Sequence, residues 1–293
     1  MTIFQRRFRL AAALGLSLTW CAAVPAAWLN KQQVEKAHAQ FDAVAKAYKS
    51  VLLQNPELSP SERQLVARVT FKYAPGTLPE VVVQERLGAT QVMISAGWLW
   101  LAEEALRGRH LADLKGQQGC FDAYVDTTRD WMRAQRKTGA DRPTPAQWKS
   151  FEEFVGETNT QACRGFGPMP RLSSRSSADI ETGMEGALAW LMGRELSRLA
   201  NKLPLSSVLR QMPAPVRADC VRAACPQADT NVHATGLARA LKIDLALAYP
   251  ALRMHVLAVD PREAQEGCPS LAEQIRPAGS APEGSVEIPL KAR

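Results

Sequence analysis

A helix that is apolar along most of its length, with charges near its end, constrains this fold most strongly. Over residues 183–203, apolar side chains recur at spacings of three and four, which predicts a helix with one continuous apolar side. That side is formed by Ala187, Leu188, Leu191, Met192, Leu196 and Leu199. Three charged residues, Arg194, Glu195 and Arg198, fall within the same stretch. Such a helix needs a core to pack against, and its charges must either reach solvent or pair with each other.

The rest of the chain predicts an α+β protein in which helices dominate. Two strands are expected over 81–83 and 91–95, with a turn near Leu87-Gly88. Ser59 and Glu62 have the spacing of a capping box, which predicts a helix start there. Further helices are predicted over residues 29–53, 98–109, 121–137 and 231–249. We read the chain as one domain over 28–277 with an insertion at 110–182 and a loose tail at 278–293.

The N-terminus has the pattern of an export signal. Arg6, Arg7 and Arg9 precede an uncharged run of 18 residues that ends in small residues around Pro25. This predicts a cleaved signal peptide over residues 1–27 and a periplasmic or secreted protein. The alternative is an uncleaved anchor that tethers the protein to a membrane, since a spanning helix needs about 17–25 apolar residues.

The net charge of the chain is a poor argument for nucleic acid as a partner, and we expect none. The formal charge is +7, from 36 basic and 29 acidic residues. Removing the three arginines of the signal leaves 33 basic residues against the same 29 acidic ones, or +4. Part of the basicity therefore belongs to targeting. The composition, 46% hydrophobic and 22% charged, is that of a globular protein and excludes disorder, collagen or a long coiled coil as the main state.

Export makes disulfides the expected state of the cysteines. Five remain after the signal, at Cys120, Cys163, Cys220, Cys225 and Cys268. The spacing predicts a Cys120–Cys163 bridge within one region of the chain, and a second bridge among the other three. A short Cys220–Cys225 bridge and a Cys220–Cys268 bridge both stay open.

Four segments, taken in order, resemble the HtpX and CAAX-prenyl-protease family of zinc peptidases and its periplasmic BepA-like relatives. The helix segment G-R-E-L-S-R at 193–198 is similar to the family's zinc helix, in which two histidines flank a catalytic glutamate. The stretch 91–99 resembles the strand that leads into a Gly-Leu-Leu helix start. C-P-Q-A-D at 225–229 is similar to an E-x-x-A-D segment, and C-P-S-L-A-E-Q-I at 268–275 to an H-P-S-x-x-E-R-I segment.

The resemblance implies a zincin-like fold with a small edge sheet, but one whose metal ligands are lost. Arg194 and Arg198 occupy the positions of the two zinc-binding histidines. Cys225 occupies the position of the third ligand, the glutamate of the E-x-x-A-D segment, and Cys268 that of the histidine in the H-P-S-x-x-E-R-I segment. Glu195 would be the former general base and Asp229 a residue that supports the metal ligands. Arginine offers only donors and cannot bind zinc. We therefore expect no cofactor, and guanidinium groups that pair with Glu195 and Asp229 where the metal stood.

Three functions follow as hypotheses. The first is an exported non-catalytic pseudopeptidase that binds a polypeptide or an envelope protein in the former substrate cleft, beside an exposed sheet edge. The second is an active metalloendopeptidase with rebuilt zinc ligands, drawn from Cys220, Cys225, His233 and Cys268. The third is an exported structural module, in which Arg194, Glu195 and Arg198 are a solvent-facing cluster. The resemblance also allows a Cys225–Cys268 disulfide to replace the metal as a cross-link.

Overall fold

The structure is a computed structural model. It describes residues 31–56, 58–76, 78–86, 89–138, 149–157, 161–199, 234, 238 and 241–256. Seven α-helices and three strands lie within these ranges: α1 Lys31–Leu53, α2 Pro60–Arg68, β1 Val69–Ala74, β2 Val81–Arg86, β3 Ala89–Ser95, α3 Ala96–Lys115, α4 Gln118–Thr138, α5 Phe151–Glu157, α6 Ser174–Leu199 and α7 Leu245–Met254. The predicted α+β class, dominated by helix, is confirmed.

The three strands form one mixed sheet in the order β1-β3-β2. β1 runs parallel to β3, and β2 runs antiparallel to it. β2 and β3 are the two strands that the sequence predicted. β1 was not predicted, because it follows α2 directly without a turn residue between them. The Val69 N–H still bonds the Leu65 carbonyl of that helix.

The capping box predicted at Ser59 is confirmed. The Ser59 Oγ accepts the Glu62 N–H at 3.3 Å, and a Glu62 carboxylate oxygen accepts the Ser59 N–H at 2.6 Å. Lys49 of α1 ties the other end of this helix to the sheet. Its ammonium donates to the Ala67 carbonyl at 2.9 Å and to the Val69 carbonyl at 2.7 Å. These contacts fix where β1 begins.

Helix α3 lies between two clusters of buried side chains. One face, which carries Trp98 and Leu106, joins the main core with α1, α6, α7 and one face of the sheet. The other face, which carries Leu101 and Ala105, packs against the predicted insertion. The insertion side chains in this second cluster are Leu111, Ala112, Cys120, Phe121, Tyr124, Val125, Met132, Phe151, Phe154, Cys163 and Phe166.

The described part of the predicted insertion is mainly helical. α4 covers the predicted helix at 121–137, and the predicted Cys120–Cys163 disulfide is confirmed. That bridge joins the first turn of α4 to a short 3-10 helix at Gln161–Cys163. The predicted second disulfide involves cysteines that lie outside the described residues.

Three predicted helix bounds were wrong. α3 begins at Ala96, because Ser95 caps it, and it extends to Lys115, where Gly116 adopts a left-handed φ of 64°. Gly97 therefore lies in the first turn of this helix. α6 begins at Ser174, nine residues before the predicted start. The helix predicted over 231–249 is broken by a turn at Lys242, with φ 56°, and α7 starts afresh after the N-cap Asp244.

Candidate functional site

Arg194, Glu195 and Arg198 form a charged cluster near the end of α6. Glu195 Oε1 accepts from Arg194 Nη1 at 3.1 Å and from Arg198 Nη1 at 3.3 Å. Arg194 and Glu195 are each 1% exposed, whereas the Arg198 side chain is 32% exposed. The solvent-facing alternative is therefore wrong for the first two residues. The other expected partner, Asp229, lies outside the described residues.

His255, just beyond the end of α7, completes the cluster. Its Nε2 lies 3.1 Å from Arg194 Nη1, and its Nδ1 lies 2.9 Å from the indole Nε1 of Trp98 on α3. His255 is 2% exposed and Trp98 is 1% exposed. The cluster thus joins three helices that are far apart in sequence. We call Arg194, Glu195, Arg198, His255 and Trp98 the RE-His cluster.

Both ring nitrogens of His255 face donors. Tryptophan and arginine nitrogens donate hydrogen bonds and accept none. A neutral imidazole has one acceptor nitrogen, so it satisfies one of these two contacts, while a protonated ring satisfies neither. With the lone pair on Nδ1, the ring accepts the Trp98 N–H, and Arg194 Nη1 makes its hydrogen bond to Glu195.

Aromatic rings surround His255 on two sides. The Trp98 ring meets it edge-on, with ring centroids 6.0 Å apart, and the Trp190 ring does so at 6.3 Å. Trp190, on α6, is fully buried. Both tryptophans are core residues. The role of Trp98 as a donor to His255 was not predicted, because it depends on tertiary structure.

Ser95 positions the Trp98 end of the cluster. Its hydroxyl accepts the Trp98 N–H at 3.1 Å and the Glu80 N–H at 2.9 Å, and it donates to the Leu78 carbonyl. Its own N–H bonds the Glu80 carbonyl at 3.0 Å. One residue therefore connects the end of β3, the segment that leads into β2 and the first turn of α3.

The last residues of α7 link the cluster to the insertion. Arg253 pairs with Asp122 of α4 at 2.5 Å, and Met254 is buried in the second core. His255, the next residue, contacts Arg194. Three consecutive residues therefore hold the insertion on one side and the RE-His cluster on the other.

The residues of the RE-His cluster do not fit a zinc ion. Zinc in proteins takes cysteine, histidine and carboxylate ligands, and protonated guanidinium groups cannot replace them. Within the described ranges, no group of three or more such side chains lies close enough to hold a metal. Cys220, Cys225, His233 and Cys268, the candidate ligands of the alternative hypothesis, all lie outside those ranges.

Two further acidic residues on the helices have strongly raised pKa values. Burial raises the pKa of Glu104 on α3 to about 7, against a weaker opposing effect of the hydrogen bond from the Phe151 N–H at 2.9 Å. Burial, followed by the nearby Glu181 carboxylate, raises the pKa of Glu185 on α6 to about 7. Neither residue was singled out by the sequence, because the shift depends on tertiary burial.

Comparisons with models of protein families, with curated proteins and with solved structures find no match to this chain. Among the helices in the described ranges, none is both long enough and apolar enough to cross a membrane.

Proposed function

We propose that this chain is an exported pseudopeptidase, with a zincin-like fold, that binds an extended polypeptide without cleaving it. The observation that carries the proposal is the contact set of Glu195. In a zinc peptidase the equivalent carboxylate takes a proton from metal-bound water. Here its Oε1 accepts from two guanidinium groups, at 3.1 and 3.3 Å. This oxygen is therefore engaged in ion pairs within the protein, and arginine at positions 194 and 198 cannot hold the metal that would activate a water.

The surroundings of Arg194 support the same proposal. Its Nη1 lies between a carboxylate oxygen and an imidazole nitrogen, each 3.1 Å away. Carboxylate and imidazole are groups that bind metal ions in peptidases. A fixed cation of the protein itself is therefore contacted by the kinds of group that would otherwise hold zinc. This agrees with the family resemblance, in which Arg194 replaces the first histidine ligand.

The sheet edge supports polypeptide binding. Among the described residues, no strand pairs with the outer edge of β2. Val83 on this strand is 38% exposed. An extended segment can add to such an edge through backbone hydrogen bonds, with side chains that fill sites on alternate positions. We propose an unfolded segment of an envelope protein as the occupant, since an extended backbone is what the edge recognises.

Binding and cleavage of fluorescently labelled β-casein, an unstructured polypeptide, test the proposal with the exported full-length protein. We expect binding, no cleavage and less than about 0.1 zinc per chain by elemental analysis. Val83→Lys should weaken binding at least tenfold, because a charge blocks strand addition. Leu114→Lys is the matched control, since Leu114 is also an exposed apolar residue but lies near the end of α3.

The same experiment separates the alternatives. About one zinc per chain together with chelator-sensitive cleavage of β-casein would support the active peptidase and contradict the proposal. Absence of binding at all concentrations tested would support the structural module. Equal weakening by Val83→Lys and Leu114→Lys would remove β2 as the binding edge.

A further inference from the structure

The exposed edge of β2 has a candidate occupant within this chain. We propose that residues 285–290, close to the C-terminus, add to this edge as a fourth strand and compete with foreign polypeptides for it. The inference rests on the proposed function, because it concerns the same edge. It adds a regulatory segment, which the experiments below test separately.

The core covers the sheet incompletely at β2. The register places Val83 opposite Val92 of β3, and Val92 opposite Phe71 of β1. Residues directly opposite each other share one face of a sheet. Val92 is fully buried and Phe71 is 8% exposed, but Val83 on the same face is 38% exposed. One more strand with apolar side chains on this face would extend the core over Val83.

Residues 285–290 have the alternating pattern of an edge strand. Val286, Ile288 and Leu290 alternate with Glu287 and Pro289. This period of two places the three apolar side chains on one face of a strand and the glutamate on the other. Such a segment would cover Val83 with its apolar face. Its polar face would lie on the solvent side of the sheet.

Pro289 is compatible with this position at the edge. A proline has no N–H and is tolerated in edge strands where its nitrogen faces away from the partner strand. The backbone groups of successive residues point alternately toward the two sides of a strand. With Pro289 facing solvent, the backbone groups of Ile288 and Leu290 face β2. The added strand would then also present a proline to further strands, which discourages continued pairing.

The length of the connecting chain permits the contact. The last described residue is Val256, and residues 257–284 provide 28 residues before the segment begins. An extended chain of this length reaches roughly 90 Å. A domain of this size has a diameter of roughly 45 Å. A tethered segment is also present at a high effective concentration, on the order of millimolar, so a weak strand contact becomes populated.

Disulfide trapping in the full-length exported protein tests the contact. Val83→Cys is combined in turn with Val286→Cys, Ile288→Cys and Leu290→Cys, and the oxidised protein is mapped by mass spectrometry of its peptides. We expect one of the three pairs to cross-link within a single chain, because opposite residues have Cβ atoms about 4.5–5.5 Å apart. Val83→Cys with Glu287→Cys is the matched control, since that side chain would point to the other face. No cross-link, equal cross-linking of the control, or cross-links only between chains would each overturn the proposal.

Affinity for labelled β-casein provides an independent readout. A tail that occupies the edge nine-tenths of the time leaves one tenth open, so a chain that ends at Gly284 should bind about tenfold more tightly. Ile288→Lys should have the same effect, and Glu287→Lys should have little. Unchanged affinity in the shortened chain would overturn the tail proposal while leaving the proposed function intact. Failure of the shortened chain to bind casein would instead contradict the proposed function, and the cross-link would still report on the tail.

Discussion

His255 Nε2 lies 3.1 Å from Nη1 of Arg194, inside the core and across 61 residues of sequence. The same guanidinium nitrogen donates to Glu195 Oε1. Arg194 is 1% exposed, so its charge has little access to water. Burial of a charge is costly unless it is paired and hydrogen-bonded. The RE-His cluster therefore has to remain complete for the fold to be stable.

Removal of Arg194 should destabilise the protein far more than removal of Arg198. Arg194→Ala leaves the buried Glu195 without its inner partner, and we expect a loss of about 3–5 kcal/mol in the free energy of unfolding. Arg198→Ala removes a side chain that is 32% exposed, so we expect a loss of about 1 kcal/mol or less. Denaturant unfolding at neutral pH measures both. Equal losses would show that Arg194 is not the main partner of Glu195.

Restoring the ligand residues should restore zinc binding if the family resemblance is correct. Arg194→His, Arg198→His and Cys225→Glu together recreate two histidines four residues apart and the third carboxylate ligand. We expect this triple variant to bind about one zinc per chain by elemental analysis after exhaustive dialysis. The control carries both histidines and Cys225→Ser, and should bind weakly. Equal zinc content in the two variants would argue against Cys225 as the third ligand position.

Glu104→Gln should stabilise the protein at neutral and higher pH. The folded pKa of Glu104, about 7, lies above its ordinary value of 4.5, so the folded state favours the protonated form. Its contribution to stability is therefore complete below about pH 4.5 and is lost as the pH rises through about 7. The loss is on the order of 3 kcal/mol. Glutamine retains an acceptor for the Phe151 N–H but does not ionise.

Unfolding free energies measured from pH 5 to pH 8 would follow this effect. The difference between Glu104→Gln and the unsubstituted protein should grow with pH and level off above about 7. Glu80→Gln, which neutralises an exposed carboxylate that does not contribute to the shift at Glu104, is the control and should show no such growth. A difference that does not depend on pH would contradict a raised pKa at Glu104.

Gly183→Ala should loosen the contact between α6 and α7. A Cβ at this position would lie 2.7 Å from the backbone carbonyl oxygen of Leu247, which cannot move aside as a side chain does. We expect a destabilisation of about 1–3 kcal/mol. Gly119→Ala, in α4, is the control, because nothing lies within 4 Å of its Cβ and alanine favours helix. Thermal unfolding measures the stability of both variants, and only Gly183→Ala should lower the midpoint temperature.

Local sequence signals predicted much of the fold. The capping box at Ser59, the two antiparallel strands and the Cys120–Cys163 bridge follow from spacing, and each is present. β1 was not predicted, because its residues follow α2 directly and no turn residue separates the two elements. The break near Lys242 was not predicted, because the helical spacing of apolar residues continues through it. Asp244 prefers the N-cap position and starts a new helix.

The candidate site could be predicted only in part. The pairing of Arg198 with Glu195 follows from their positions on one helix, since residues three apart are neighbours. The contact between the adjacent residues Arg194 and Glu195 does not follow from helical spacing. His255 offered one signal, a single histidine in an apolar stretch, and nothing in its spacing indicated a contact with Arg194. Trp98 gave no sign of a polar role either. Contacts of this kind are set by tertiary packing, which a pattern within one segment does not encode.

The bond between Trp98 and His255 joins positions that are 157 residues apart. Contacts that close such long stretches of chain are slow to form, because the entropy of loop closure has to be overcome before they contribute. Arg194 also has no His255 to contact until that residue has been synthesised. A nascent chain shorter than 255 residues therefore has an incomplete core, with one member of its central network missing. The core can therefore be completed only after synthesis of the chain has passed His255.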